Sequence, residues 1–370
     1  MHVPRALLIP RECFALSGNL KNLAKEASAR SGDSTRWDGP ASAKHPAASS
    51  VRAGGSRAPP GGSSARRGAR VSFLSDVIAA TFRNATPLVY GTVGETYCER
   101  AGILNLGIEG TMYAGAFFGF LVAQQTGSLL LGLAAAIGCG LGAGLLMGLL
   151  TVTFGANQHV SGLGLTLFLI GAAEFVNRLQ YKGSQEQAKV EPYGTIDVFG
   201  IDIFSQYALT YIAFLVVVPL AWWVLMRTTL GLNIRAVGEN PEAADAAGVN
   251  VAHTRYLALL IGGSLMGVGG AFFTLAALGS FTLNIIAGRG WVCIALVIFG
   301  RWRIGRGVLG ALLFAFVYAL QLRLRILPSF SDVPFELLLA LPYVVVILAL
   351  ALSGRNVAYP GAYLKPYRRA

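Results

Sequence analysis

The chain has 370 residues, 54% hydrophobic and 13% charged, with a mean hydropathy of +0.57. Soluble proteins carry about 25% charged residues, so the composition argues against a water-soluble enzyme, a disordered scaffold and a disulfide-rich secreted module, and leaves a polytopic helical membrane protein. The net charge of +12 is unevenly placed: residues 1–72 hold 12 Lys/Arg and 4 Asp/Glu, residues 73–370 hold 18 and 14.

The basic first fifth contains no apolar run long enough to cross a bilayer, and Ala6–Ile9 is too short for a signal-peptide core. The tract Arg52–Arg70 is full of Gly, Pro, Ser and Ala, a composition that cannot bury enough apolar surface to offset chain entropy. Residues 1–72 therefore read as a disordered basic extension, with Val71 as the true start if its codon is a GTG. They do not read as a nucleic-acid surface, which needs basic residues on a folded face beside base-reading groups. Cys13, Cys98, Cys139 and Cys293 form no CxxC pattern and read as small packing residues.

Apolar runs begin after residue 73. A helix needs about 20 residues to cross a ~30 Å hydrocarbon core. The candidate spans are 76–94, 103–125, 129–153, 160–178, 207–226, 255–278, a short 288–300, 307–324 and 335–353. The expected fold is all-α, with eight to ten spans in a transmembrane region over 73–353 and a basic cytoplasmic tail over 354–370. Arg227, Arg235 and Arg255, then Arg301, Arg303 and Arg306, then Arg355, Lys365, Arg368 and Arg369 mark three cytoplasmic segments. The acidic 179–206 loop is expected outside. An inside N-terminus conflicts with four full spans before residue 179, so one early segment is expected to be re-entrant or to be two short pieces, and 94–110 is the suspect. Gly132, Ala136, Gly140, Gly144 and Gly148 share one helix face, as do Gly263, Gly267 and Ala271. Lipid gives helices no hydrophobic reason to associate, so these small faces predict close seams.

Polar residues at membrane depth carry a functional hypothesis by default. Glu95, Glu99, Arg100, Asn105 and Glu109 lie among glycines between two apolar runs. They form either a polar loop at the interface or part of a cavity or gate. Glu99 and Arg100 point in different directions on a helix and would each pair with an opposite charge elsewhere. Asn157, Gln158, His159 and Ser161 open a span, as helix caps at a membrane boundary or as partners of a polar, hydroxyl-rich solute. Glu174 and Arg178 are placed for an i,i+4 ion pair near a span end.

The polar 227–254 loop contains a short helix by its own signals. Asn240 is suited to the N-cap, Pro241 to the first turn, Glu242 and Asp245 to the positive dipole end, and Gly248 to the stop. Small side chains let such a helix seat in a groove on another protein. Glu242-Ala243-Ala244 followed by Gly248 resembles the EAA-type loop of ATP-binding-cassette (ABC) importer permeases. The stretch from Arg235 to Pro241, Ala246-Ala-Gly-Val, Glu99-Arg-Ala-Gly, Asn105-Leu-Gly-Ile-Glu-Gly, Ala156-Asn-Gln, Ala287-Gly-Arg-Gly-Trp and Ala295-Leu-Val-Ile-Phe-Gly-Arg-Trp are similar to simple-sugar and nucleoside permeases of the branched-chain-amino-acid/ribose group. The resemblance covers about 73–353 in order; the first 72 residues and His159 depart from it.

The resemblance implies a type II ABC importer-like transmembrane domain in the plasma membrane. It implies a separate cytoplasmic ATPase that holds ATP and Mg, a second permease subunit and an extracytoplasmic solute-binding lipoprotein. Arg235, Gly238, Glu239, Asn240, Pro241, Glu242, Ala243, Ala244 and Gly248 would couple to the ATPase. Asn105, Glu109, Asn157 and Gln158 would contact a nucleoside or simple sugar along the path. The chain has no GxxxxGK[ST] and is expected to be no enzyme and to bind no cofactor, metal or nucleic acid. The competing classes are a proton- or sodium-coupled carrier, with Glu109 as the proton site, and an integral-membrane enzyme, for which four scattered histidines are poor material.

Overall fold

A computed structural model describes residues 62–181, 189–197, 204–324, 335–353 and 359–367. Eleven helices occur among them. They are α1 (Gly62–Arg100), α2 (Ile108–Thr126), α3 (Leu129–Thr153), α4 (Gln158–Tyr181), α5 (Ala208–Arg227), α6 (Thr229–Glu239), α7 (Pro241–Ala246), α8 (Val251–Leu278), α9 (Arg289–Phe299), α10 (Ile304–Leu324) and α11 (Phe335–Ser353). Each of the nine sequence-derived spans coincides with one of α1 to α5 or α8 to α11. Of these, α3, α4, α5, α8 and α10 are long and apolar enough to cross a membrane by themselves. The polar stretch before α5 also holds a small antiparallel pair, β1 (Thr195–Asp197) and β2 (Ser205–Tyr207), in register Ile196↔Gln206. Helix α1 starts at Gly62, ahead of the boundary expected at 73. Residues 1–61, with Cys13 and Val51-Arg52, lie outside the described residues, as do Arg325, Arg355, Arg368 and Arg369.

Hydrogen bonds sort the helix ends into two layers. At one end, Arg83 of α1 reaches the Ser205 carbonyl at 2.6 Å and Asp76 pairs with Arg323 of α10 at 3.1 Å. Val190 N–H there donates to the Gly279 carbonyl that follows α8. At the other, basic end, the Arg100 Nε donates to the Trp302 carbonyl (2.9 Å), Ala362 N–H to Gly238, and Leu364 N–H to Gly102.

The interior is set by glycine contacts. A methyl on Gly140 of α3 would run into the Gly263 carbonyl of α8, one on Gly144 into Leu259, and one on Gly115 of α2 into Gly267. The small faces read from the sequence are thus the seams that gather α2 and α3 around α8; α1 joins through Gly94 against Gly262. The outer helices show the opposite pattern. Leu163, Leu167, Phe168 and Phe175 of α4, and Leu215, Leu220, Trp222 and Trp223 of α5, are exposed, as a surface solvated by lipid rather than water requires. Cys98 and Cys293 are buried and Cys139 is half-buried, all free.

The suspect segment 94–110 is two pieces joined by irregular backbone. Helix α1 ends at Arg100, residues 101–107 turn, and α2 starts at Ile108. An interface loop would be wet; this one is buried, with Glu95, Glu99, Asn105 and Glu109 between 0% and 8% exposed. Backbone without helical hydrogen bonds survives at such depth only when protein satisfies it. A second broken connection, 279–288, lies between α8 and α9. The two carry related sequences, Leu104-Asn-Leu-Gly-Ile-Glu-Gly110 and Leu283-Asn-Ile-Ile-Ala-Gly-Arg-Gly290, and each delivers the N-terminus of a following helix to the interior.

Candidate translocation core and coupling unit

The two broken connections meet at Glu109. Its Oε1 accepts from Gly288 N–H at 2.8 Å and its Oε2 from Gly290 N–H at 2.7 Å. These are free N–H groups at the start of α9, where a carboxylate also complements the helix dipole. Gly290 has to be glycine, since a Cβ there would press on Glu109 itself. Arg289 follows between them. Its guanidinium lies over the rings of Phe273 and Tyr318, 4.9 and 5.4 Å from their centroids, and donates to the Ile285 and Ile286 carbonyls and the Tyr318 hydroxyl.

Asn105 and Gln158 organise the first broken connection. Asn105 N–H donates to Glu95 (2.9 Å), its Oδ1 accepts from Gly107 N–H (3.0 Å), and its amide touches the Met266 sulfur. Gln158 is 4% exposed and accepts from Leu104 N–H at 2.9 Å. Thr166 donates to the Leu106 carbonyl. Asn157 stands apart: it is exposed, and its Oδ1 accepts from His159 and Val160 N–H as the N-cap of α4. Asn105, Glu109 and Gln158 are therefore brought together around the irregular backbone, and Asn157 is not.

Among the described residues Glu99 and Arg100 form no direct ion pair of the kind the sequence suggested, although the charge of Glu239 acts on Arg100 from further away. The Trp302 indole N–H donates to Glu99 at 2.6 Å, and Arg100 binds the Trp302 carbonyl. Trp302 is 2% exposed and, with Arg301, adopts a positive φ (55° and 51°). That conformation is uncommon outside glycine, and here it turns the indole onto Glu99. Tyr359 and Tyr363 pack on the same indole at 5.0 and 6.0 Å. Burial pushes the Tyr363 phenol above its ordinary value, with Glu99 adding to the shift. The weak Glu174–Arg178 pair is present at 4.0 Å with an exposed arginine.

The coupling segment is built as its signals indicate. Asn240 Oδ1 caps α7 by accepting from Ala243 N–H (3.0 Å), Pro241 takes the first turn, and Gly248 ends it at φ +85°. Glu242, Ala243 and Gly248 are exposed, with Glu239 and Asn240 beside them; Ala244 is buried against Val237, Val251 and Tyr367. The sequence reading missed α6. Its apolar positions Leu230, Ile234 and Val237 follow helical spacing, and Thr228 caps it through Gly231 N–H, but arginine and asparagine between them blurred the pattern. Arg235 is half-buried on α6, its Nε donating to the Gly231 carbonyl. Gly238 is the point of closest approach, where any Cβ would enter the Arg100 carbonyl. The exposed helix thus sits one residue-to-residue contact from the end of α1 and the buried Glu99–Trp302 pair.

Residues 77–350 match the family described as branched-chain amino acid transport system / permease component. The chain belongs to that permease family. It is 36% identical over 313 residues to a guanosine ABC transporter permease protein of Bacillus subtilis, covering 80% of this chain and 98% of the relative. It is 40% identical over 266 residues to a putative glucose ABC transporter permease protein of Haloferax volcanii (68% and 79% covered). A nucleoside ABC transporter permease protein of Lactococcus lactis is 36% identical over 302 residues (78% and 95% covered). No solved structure matches the chain. The permease is a multi-pass membrane protein and a subunit of an ABC importer; a carrier that works alone is not favoured.

Proposed function

We propose that this permease forms the membrane path for nucleosides or simple sugars in the plasma membrane, driven by a separate cytoplasmic ATPase that docks on α7. The observation that carries the reading is the capped, exposed α7, rooted through Gly238 on the end of α1. ATP binds on the partner and changes how the docked helix is held. Such a ligand shifts a conformational equilibrium only through its different affinity for the two states. Motion of α7 passes through Gly238 to Arg100 and Trp302, and from there to the irregular 101–107 backbone, whose rearrangement opens the path to one side or the other. Glu239, Glu242, Ala243 and Gly248 meet the ATPase, whereas Arg235, Gly238 and Ala244 hold the unit together.

Within the path, Asn105, Glu109 and Gln158 act as positioning residues for the broken connections, and Asn157 keeps the start of α4. A lipoprotein outside delivers the solute. A second, different permease subunit completes the assembly; Bacillus subtilis has two guanosine permease proteins similar to this chain, at 36% and 23% identity, which supports that pairing. The test is co-purification of the permease with an ABC ATPase from the same source co-expressed with it, for wild type and Gly248→Leu. We expect the substitution to release the ATPase while membrane insertion is normal. Full retention of the ATPase by the variant would refute docking on α7.

A further inference from the structure

The second broken connection opens onto a cavity that the coupling argument does not use. It has a volume of about 470 Å3 and lies between α1, β2, the end of α8 and the start of α9. Its polar lining is Arg83, Asn84, Thr282, Asn284 and Arg289, and its aromatic lining includes Tyr207 and Phe273. Ligand pockets fall between about 300 and 1,000 Å3 and combine aromatic walls with a few fixed polar groups. Two arginines border this one cleft, each anchored by backbone carbonyls, Arg83 by Ser205 and Arg289 by Ile285 and Ile286, and charged side chains in a membrane domain mark solute pathways.

The two related connections are used differently. Asn105 is 1% exposed and saturated by Glu95, Gly107 and Met266. Its counterpart Asn284 is exposed to the cavity, held there at φ +62°. A left-handed asparagine costs energy that a plain turn would avoid, and the neighbouring Ala287 shares the conformation at φ +51°. Arg289 is fixed on the opposite wall. Glu109 holds the backbone on either side of it, and Phe273 and Tyr318 fix its plane. On the α1 wall Arg83 lies 5.7 Å from the Tyr207 centroid, and its buried Nε has no partner among the described residues. Flat aromatic and guanidinium surfaces stack heterocyclic bases. Guanidinium forks match the paired acceptors on a purine edge, and asparagine amides match a donor–acceptor pair.

We propose that this cavity is the permease's own solute-recognition site and that it takes a purine nucleoside by its base, with Asn284 and Arg289 on the base edge and Phe273 on its face. The inference rests on the proposed function, and narrows its substrate class. The cavity lies toward the end that carries the β1–β2 pair, the side on which a delivering protein would stand.

The test uses the assembled importer in membrane vesicles, with Ala287→Cys as a reporter and a water-soluble methanethiosulfonate as the probe. The reporter is placed in a chain with Cys13 and Cys139 replaced by serine, whose remaining Cys98 and Cys293 are buried, and that chain without the reporter is the control. We expect labelling of the reporter to be slowed at least threefold by guanosine and not by ribose, with Asn284→Ala abolishing the protection. In wild-type uptake, Asn284→Ala should raise KM for guanosine about tenfold with a smaller change in maximal rate. No labelling of the reporter, labelling that guanosine does not slow, or equal protection by ribose would each overturn the assignment. ATP-dependent uptake that persists alongside any of these results would refute the site and leave the importer reading standing. Absence of ATP-dependent uptake of every nucleoside and sugar by the wild type would refute that reading instead.

Discussion

Removing the Glu109 carboxylate should release the start of α9. The carboxylate accepts two backbone N–H bonds, from Gly288 and Gly290, at 2.8 and 2.7 Å, and it is 8% exposed. A hydrogen bond to a charged group contributes about 1.5–3 kcal/mol. Glu109→Ala should therefore cost about 3–6 kcal/mol, toward the lower value where water reaches the two freed N–H groups. Glu109→Gln retains one acceptor but aims an N–H at the other donor, so it should lose at least half as much. Trp291, the residue after Gly290, is a natural fluorescence reporter for this helix start. Four other tryptophans emit beside it, so the assay is unfolding in mixed micelles followed by the emission that a Trp291→Phe control lacks, with solute uptake measured in parallel. Both variants should unfold at lower denaturant, Ala before Gln, and uptake should fall in the same order. If Glu109→Ala lies within about 1 kcal/mol of wild type, Glu109 does not clamp α9 and the joint between the two broken connections has been misread.

Gly140→Ala should destabilise the fold by about 1–3 kcal/mol, the usual cost of overpacking, because its Cβ enters the Gly263 carbonyl; Gly142→Ala, two residues away with open space, should be neutral or better by up to about 1 kcal/mol. The yield of monodisperse protein on gel filtration separates the two. Trp302→Phe removes the indole bond to Glu99, and should lower the unfolding midpoint by the equivalent of about 1.5–3 kcal/mol; an unchanged midpoint would show that the indole does not anchor Glu99. Asn240→Ala should lose about 1 kcal/mol of helix capping and weaken ATPase retention on the permease, while Asn240→Asp, which keeps an acceptor for Ala243 N–H, should retain it.

The sequence shows the fold most clearly where one local property decides it. Apolar runs located the nine main helices because lipid imposes length and composition on each segment separately. The cap and stop of α7 were legible because Asn240, Pro241 and Gly248 act within a few residues of themselves. The glycine faces were legible as faces, although their partners were not: nothing near Gly140 names Gly263. Helix α6 was hidden because it lies across the end of the bundle, where a short amphipathic stripe suffices and polar residues interrupt it.

The core was half legible. Glu109, Asn105 and Gln158 stand out as polar groups at depth, but their partners Gly288, Glu95 and Leu104 are set by folding and not by spacing. The Glu99–Trp302 bond joins residues 203 apart, and the left-handed turn that permits it has no glycine to announce it. Arg289 was visible only inside a family-like motif. The related stretches 104–110 and 283–290 were the available signal for its role, since two copies of one pattern mark two broken connections that face each other.

The central claim is that the chain is a conduit worked from outside by a motor docked on α7. It is tested most directly in proteoliposomes containing the permease pair, with the ATPase and the binding lipoprotein either included or withheld, and with radiolabelled guanosine and ribose offered under ATP or under an imposed proton or sodium gradient. The account predicts accumulation only when ATP and the ATPase are both present, and no response to either gradient. Accumulation driven by a gradient in vesicles that lack the ATPase would contradict it.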